Sequence, residues 1–487
     1  MTSTSTSAPV REQAGFRHLE RFVIRLTHQQ PASPTSLSSS PASHPSPPDL
    51  FRGSTKGVDG RNKCGHDVQN TILASGAPTG PDSTYLHLAL PPEPRTPGDL
   101  WSQGFIRLAT RIAAGQLSVV FPNGSRRTFA GSAYGGPRAV LRINRSRTLR
   151  RLAFGGDIGF AEAYIDGDWE SPDLAALLEL ALANEAHAGE FEPGPVQRLV
   201  NGIRHRLRRN TPGGSRRNIA YHYDLSNAFY RLWLDEGMSY SSALFEADDQ
   251  PLAHAQAAKN RRLAAMLGLQ PGQRVLEIGC GWGGFAIMAA RDYGCRVVAI
   301  TLSRAQRDYA QDRVRAAGLS DRVEIRLQDY RDVRGRFDRV ASTEMFEAVG
   351  ERYWPLFFRL LGERLEDGGV AALQVITIDE QRFETYRRRP DFIQKYIFPG
   401  GMLPSPSALR DQVRASGFRL DEEFTFGAAY ARTLAEWQRR FQRAWTDIEA
   451  LGFDQRFKRI WEYYLAYCEA GFRAGSIDVG QFRLVKS

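Results

Sequence analysis

Residues 274–284 read RVLEIGCGWGG, and the reading of this stretch decides the fold. Val275, Leu276 and Ile278 make a short apolar run that meets Gly279, Gly281, Gly283 and Gly284. An apolar run of that length, stopped by glycines, reads as a buried strand ending in a tight turn. The spacing beyond it predicts a helix over Trp282–Arg291. Working outward, RVVAITL (296–302) is a second strand and Arg304–Ala317 a second helix. VEIRLQD (323–329), FDRVAST (337–343) and VAALQVITI (370–378) read as three more strands. A helix over Tyr353–Leu365 enters the last of them through Glu366-Asp367-Gly368-Gly369. Strand and helix alternate from Asn218 onward, as in a doubly wound α/β sheet.

Upstream the texture differs. Residues 1–95 contain runs such as PASPTSLSSSPASHPSPPD (31–49), with too few apolar anchors to offset the entropy of ordering. They are expected to be a disordered Ser/Pro-rich tail. Residues 96–190 read as a small α+β domain. Phe105–Ala114 has helical spacing, and QLSVVFPNGSRRTFAG (116–131) is two strands joined at Pro122-Asn123-Gly124. PRAVLRINR (137–145) is another strand, and helices follow over Ser146–Leu152 and Leu174–Ala186. Between the domains, 191–217 reads as a basic linker helix, with Leu199, Val200, Ile203 and Leu207 on one face and arginines on the rest.

The formal charge of +10, from 64 Lys and Arg against 54 Asp and Glu, favours an acidic partner. An anionic membrane surface suits the linker helix better than nucleic acid does. No stretch has the length of apolar residues that a spanning helix needs. The first residues lack a secretory signal pattern, and the four cysteines lack CxxC spacing, so no structural zinc is expected. These features predict a cytoplasmic protein peripherally associated with the inner face of the membrane.

The glycine loop satisfies GxGxxG, which raises a dinucleotide domain as one reading. Three features oppose it. Glu277 precedes the glycines and would repel a pyrophosphate, yet it suits the cationic amino group of S-adenosylmethionine. The second strand ends in Thr301 and Leu302 rather than the acid a dinucleotide ribose requires. Gln328-Asp329-Tyr330 follows the third strand, where an acid and a ring can read an adenine. EIGCGxG, LQD and a later DGG together form the pattern of class I, Rossmann-like S-adenosylmethionine methyltransferases.

Other segments are more specific. AYHYDLSNAFYRLWLDEGMSYSSALF (220–245), ITLSRAQ (300–306), EMFEAVG (344–350), IQKYIFPGGMLPS (393–405) and YARTLAEWQRRF (430–441) occur in consistent order around the glycine loop. With them, residues 218–487 resemble the cyclopropane-fatty-acyl-phospholipid synthase family, including its relatives that modify mycolic acids. GDIGFAEAYIDGDW (156–169) resembles that family's N-terminal domain. The resemblance implies cofactor contacts from Tyr240, Ser241, Glu277, Gly279, Cys280 and Gly281. It extends them to Trp282, Gly283, Gly284, Thr301, Leu302, Gln306, Asp329 and Tyr330.

It also implies the chemistry. The π electrons of an unsaturated phospholipid acyl chain attack the sulfonium methyl, and the resulting cation loses a proton to close a cyclopropane ring. The family is understood to take that proton with bound bicarbonate. Here its holders would be the Ser242 carbonyl, Glu347, Gln374, Ile376 and Tyr430. Gln374 stands where the family has histidine, and glutamine cannot shuttle a proton. That departure makes a methylene- or methyl-branched product an alternative. The stretch Phe383–Met402, rich in aromatics and arginines, is expected to cover the substrate. The resemblance also allows a homodimer. A methyltransferase for a soluble acceptor and a lipid-binding protein with a decayed site are the rival readings.

Overall fold

The computed structural model describes residues 99–185 and 225–486. The expected tail over 1–95 and the linker helix over 191–217 lie outside the described residues. Every described residue falls within one compact unit spanning Leu88–Ser487.

The N-terminal part is built on a four-stranded sheet. β1 (Ala114–Val120) and β2 (Arg126–Ala130) pair antiparallel across the expected turn, where the Gly124 amide donates to the Phe121 carbonyl at 2.9 Å. β3 (Ala133–Ile143) lies parallel to β1, and β4 (Trp169–Glu170) closes the order β2-β1-β3-β4. The first helix runs over Leu100–Ala109 rather than Phe105–Ala114. The Asp99 carboxylate caps the Ser102 amide and sets its start, and Ala114 already belongs to β1. The helix expected over Ser146–Leu152 continues as Arg147–Ile165 and breaks at Gly156 (φ 59°).

The C-terminal part is a seven-stranded sheet in the order β10-β11-β9-β8-β5-β6-β7. The five expected strands are β5 (Arg274–Ile278), β6 (Arg296–Thr301), β7 (Val323–Leu327), β8 (Phe337–Thr343) and β9 (Leu365–Ile378). All five run parallel and are largely buried, as strands covered by helices on both faces must be. Two strands went unread in the sequence: β10 (Phe418–Thr425) and β11 (Ile477–Lys486). β10 is charged because it forms the sheet edge, and β11 runs antiparallel between β10 and β9. β9 itself begins at Leu365, so Glu366–Gly369 lies within the strand. The helix after β5 starts at Gly284 rather than Trp282, since Gly281 (φ 50°) and Gly283 (φ 82°) cannot extend a right-handed helix.

The long helix Gln455–Arg473 packs on the helices Arg147–Ile165 and Leu174–Ala183 of the N-terminal part and on Gly427–Arg443. Trp169 is the anchor of that contact. Its indole N–H donates to the Phe160 carbonyl at 2.8 Å, its ring stacks on Phe160 at 4.1 Å, and Tyr463 meets it edge-on. Trp169 is fully buried, so Trp169→Ala is expected to lower stability by about 3–5 kcal/mol. Chemical denaturation checks this, and an unchanged midpoint would remove Trp169 as the anchor.

Candidate active site

Strand order reverses direction at β5, which lies between β6 and β8, and ligands of open α/β sheets bind in the crevice beyond the strand ends there. The glycine loop occupies that place. The Gly279 and Cys280 amides both donate to the Ile300 carbonyl at 3.0 Å, tying the loop to β6. Gly279 has φ 84°, and a Cβ there would lie 2.9 Å from Met345 Cγ. The Arg313 guanidinium donates at 2.9 Å to the carbonyls of both Trp282 and Gly237, clamping the segment before Tyr240 against the loop.

A cavity of about 1380 Å³ opens from this loop. Tyr240, Ser241, Glu277, Gly279, Cys280 and Gly281 line it. So do Trp282, Gly284, Thr301, Leu302, Gln306 and Tyr330. Gly283 lies just outside and caps the following helix. Thr301 and Gln306 are bonded to each other at 2.8 Å. The Asp329 carboxylate caps its own turn at the Arg331 amide and pairs with the Arg331 guanidinium at 2.6 Å, set back from the cavity lining. Gln328 does line it.

The same cavity continues, without a dividing wall, between Phe105, Leu108, Leu117, Leu141, Leu177 and Leu178 of the N-terminal part. Tyr463, Tyr464 and Tyr467 of the last long helix border it, as do Arg389, Arg382, which pairs with Glu185, and Arg388, which pairs with Glu384. Of the aromatics in Phe383–Met402, Tyr386 and Phe398 face the cavity. Phe383 and Phe392 are core, and the Tyr396 hydroxyl donates to Glu162 at 2.7 Å. Trp437, Phe441 and Trp461 are likewise core.

The five residues expected around an anion do come together, with a sixth among them that sequence reading passed over. Glu344 lies at the end of β8 with φ 48°, a left-handed backbone that favours glycine. Its Oε1 accepts from the Ser242 amide at 2.9 Å and from Gln374 Nε2 at 2.7 Å, and its Oε2 accepts from the Tyr430 hydroxyl at 2.6 Å. Gln481 of β11 donates to Gln374 Oε1 at 3.0 Å, which fixes the amide with its N–H toward Glu344. Ser242 thus meets the site through its amide. Glu347 Oε1 accepts from the Ile376 amide at 2.6 Å, while Oε2 is buried without a partner. Burial, then the neighbouring Glu344 charge, pushes the Glu347 carboxyl up to about 8.

Lys259 was also missed. It is buried, and its ammonium donates to Ser241 Oγ at 2.9 Å. Burial lowers its pKa, opposed by the charges of Glu344, Asp235 and Glu277. Burial raises Glu277 to about 8, and its Oε2 has no partner. The arrangement is a largely apolar cavity with carboxyl groups at one end beside the glycine loop.

The mycolic acid cyclopropane synthetase profile matches residues 211–482. The chain belongs to that family. Its members here include tuberculostearic acid methyltransferase UfaA1 of Mycobacterium tuberculosis, 42% identical over 78% of this chain and 89% of that protein. The cyclopropane-fatty-acyl-phospholipid synthase of Escherichia coli K12 is 36% identical over 72% and 89%. Among solved structures, the mycolic acid cyclopropane synthase CmaA1 complexed with SAH superposes with a TM-score of 0.53 at 34% identity. That match covers 56% of this chain and 98% of that one. The chain is thus an S-adenosylmethionine-dependent methyltransferase with the class I fold. Among the described residues, no helix is long and apolar enough to cross a membrane.

Gly279→Ala places a methyl against Met345 in an unfavourable backbone. Affinity for S-adenosylmethionine is expected to fall at least about tenfold, or ~1.4 kcal/mol, with the fold retained. Calorimetry checks this, and unchanged binding would separate the loop from the cofactor.

Proposed function

We propose that this protein adds a one-carbon unit from S-adenosylmethionine to the double bond of an unsaturated phospholipid acyl chain. The observation that carries the reading is the cavity, which joins the glycine loop and the buried carboxyl groups to an apolar tunnel in one space. A soluble polar acceptor would find few partners along Leu117, Leu141 and Leu177. A decayed site would not keep Glu347 facing the cavity with its Oε2 buried and unpartnered.

The glycine loop, Glu277, Trp282 and Tyr330 are the residues that would hold the cofactor. When bound it supplies an electrophilic methyl. The tunnel aligns the acyl chain and excludes water, which would otherwise trap a carbocation. Tyr240, Tyr430 and Tyr464 line the cavity, and aromatic rings near the reacting carbons tolerate a cation. Arg382, Arg388 and Arg389 suit a lipid phosphate, which fits a protein at an anionic membrane surface on the cytoplasmic side.

Methyl addition leaves the positive charge on the neighbouring acyl carbon. Loss of a methyl proton then closes a ring. Alternatively, hydride moves first from the methylated carbon to its neighbour, and loss of a methyl proton gives a methylene branch. A saturated methyl branch needs two further hydrogens from a reductant. The branched product is the reading that Gln374 favours, since no histidine is present there to shuttle the proton promptly. The name of the 42% identical relative, a fatty-acid methyltransferase, points the same way. Ring closure, as the names of the cyclopropane synthases suggest, is the second reading. A separate bicarbonate is not part of either, because Ser242, Gln374 and Tyr430 already spend their hydrogen bonds on Glu344.

Incubation with vesicles of unsaturated phospholipid and methyl-labelled cofactor is expected to add one CH2 to the acyl chain. Upfield ring-proton signals would identify cyclopropane, and uptake of hydrogen a methylene. Transfer only to water-soluble acceptors would sink the lipid assignment. A second expectation concerns Glu277, which is protonated at neutral pH because burial raises it to about 8. A cationic amino group seated against it favours the ionised form, so binding releases a proton and affinity rises between about pH 6 and pH 8. Binding heats that do not vary with buffer ionisation enthalpy would dissociate Glu277 from the cofactor.

A further inference from the structure

The strongest unexplained feature is Glu344 itself. Among the described residues, only Ser226, Met238 and Glu344 have positive φ without being glycine, and the last two line the cavity. A non-glycine residue in the left-handed region costs roughly 1–2 kcal/mol, and such strain persists where the surroundings over-determine it. Here the surroundings are three donors from distant parts of the chain: the Ser242 amide, the Gln374 amide group on β9 and the Tyr430 hydroxyl. All three converge on one carboxylate that opens into the cavity.

Three donors fixed around a planar, two-oxygen anion form a carboxylate- or bicarbonate-shaped receptor. The chain fills it with its own side chain. Gln374 fits this arrangement as a neutral donor, and its orientation is set from behind by Gln481. Oε1 of Glu344 accepts two of the bonds and Oε2 one, so Oε2 keeps a lone pair for a further proton.

We propose that Glu344 is the built-in base of the reaction, taking the place of an exogenous bicarbonate. This rests on the proposed one-carbon transfer to an olefin. In the step assigned to it, a C–H bond of the added methyl breaks. Its electron pair forms the new carbon–carbon bond, of the ring or of the methylene, and cancels the cationic charge. The proton bonds to Glu344 Oε2 and is lost to solvent when product leaves. No oxidant, reductant or bound anion is consumed.

The test uses the full chain with unsaturated phospholipid vesicles and labelled cofactor. Wild-type turnover in buffer stripped of carbon dioxide should match that in millimolar bicarbonate. Glu344→Gln, which fills the same space without a base, should lose at least about a hundredfold in turnover while its thermal melt and calorimetric cofactor binding stay unchanged. Added bicarbonate should not restore it. Glu344→Gly vacates the receptor and relieves the backbone, and its lost turnover should return with bicarbonate. Labelled bicarbonate should bind this variant by NMR and not bind the wild type. Wild-type dependence on bicarbonate, or a Glu344→Gln variant within a few-fold of wild type, would overturn the proposal and leave the lipid reading standing. A wild type that methylates no olefin would instead sink the lipid reading. The receptor would then be judged by the NMR comparison alone, and absence of bicarbonate binding to Glu344→Gly would refute it.

Discussion

Lys259, whose Nζ lies 2.9 Å from Ser241 Oγ, is buried near Glu344, Asp235 and Glu277, and burial lowers its pKa while those carboxyl groups oppose the shift. A lone cation could not remain charged there, and neither could isolated carboxylates. Each is tolerable because the others are present. Electrostatic influence reaches further in such surroundings than in water. The cluster therefore fixes geometry as well as charge. Lys259 comes from the helix Leu252–Leu267, Glu277 from β5 and Glu344 from the end of β8, so this one neighbourhood draws on three elements of the fold. The glycine loop and the anion receptor meet in that neighbourhood.

The hydrophobic side of the site imposes the complementary constraint. An apolar tunnel stores no electrostatic stabilisation of its own, but it keeps water from the reacting carbons. Its walls come from both sheets and from the long helix Gln455–Arg473, which packs against the N-terminal helices. The N-terminal part is thus structural for the cavity rather than chemical. It contributes Leu117, Leu141 and Leu177 as wall, and Trp169 behind them as the packing anchor. A methyl-donor domain without such a wall would leave the acyl chain in water.

The parallel strands and glycine loop were legible because their signals are local: apolar runs between glycines, with helical spacing after them. β10 and β11 were not. β10 carries charge at an edge, and the Asp478, Gln481 and Arg483 of β11 blur any alternation. In the site, the resemblance located Ser242, Glu347, Gln374, Ile376 and Tyr430, and the structure brings all five together. It did not supply Glu344, although that residue stands three positions before Glu347 in the same segment. The reason is physical. A carboxylate at a strand end reads as solvated until the fold shows three donors closing on it, and those donors lie 102, 30 and 86 residues away in sequence. Asp329 shows the opposite case, a carboxylate whose pairing with Arg331 two residues away is local in sequence.

A tethered carboxylate and a diffusible anion are not equivalent solutions to the same chemistry. The tethered group needs no association step and no ambient bicarbonate, so its effective concentration is set by the fold. Against this stands the strained backbone at Glu344, a cost carried by every molecule whether or not it turns over. A tethered base also cannot follow the substrate. Its three hydrogen bonds aim the free lone pair of Oε2 in one direction, so the acyl chain must bring the correct C–H bond to it. Whether the methyl proton leaves before or after the hydride shift, and hence ring or branch, then depends on how deeply the tunnel seats the double bond relative to Glu344. Residues far from the chemistry, such as Leu117 and Leu177 along the walls, would on this argument influence the product as much as those beside the cation.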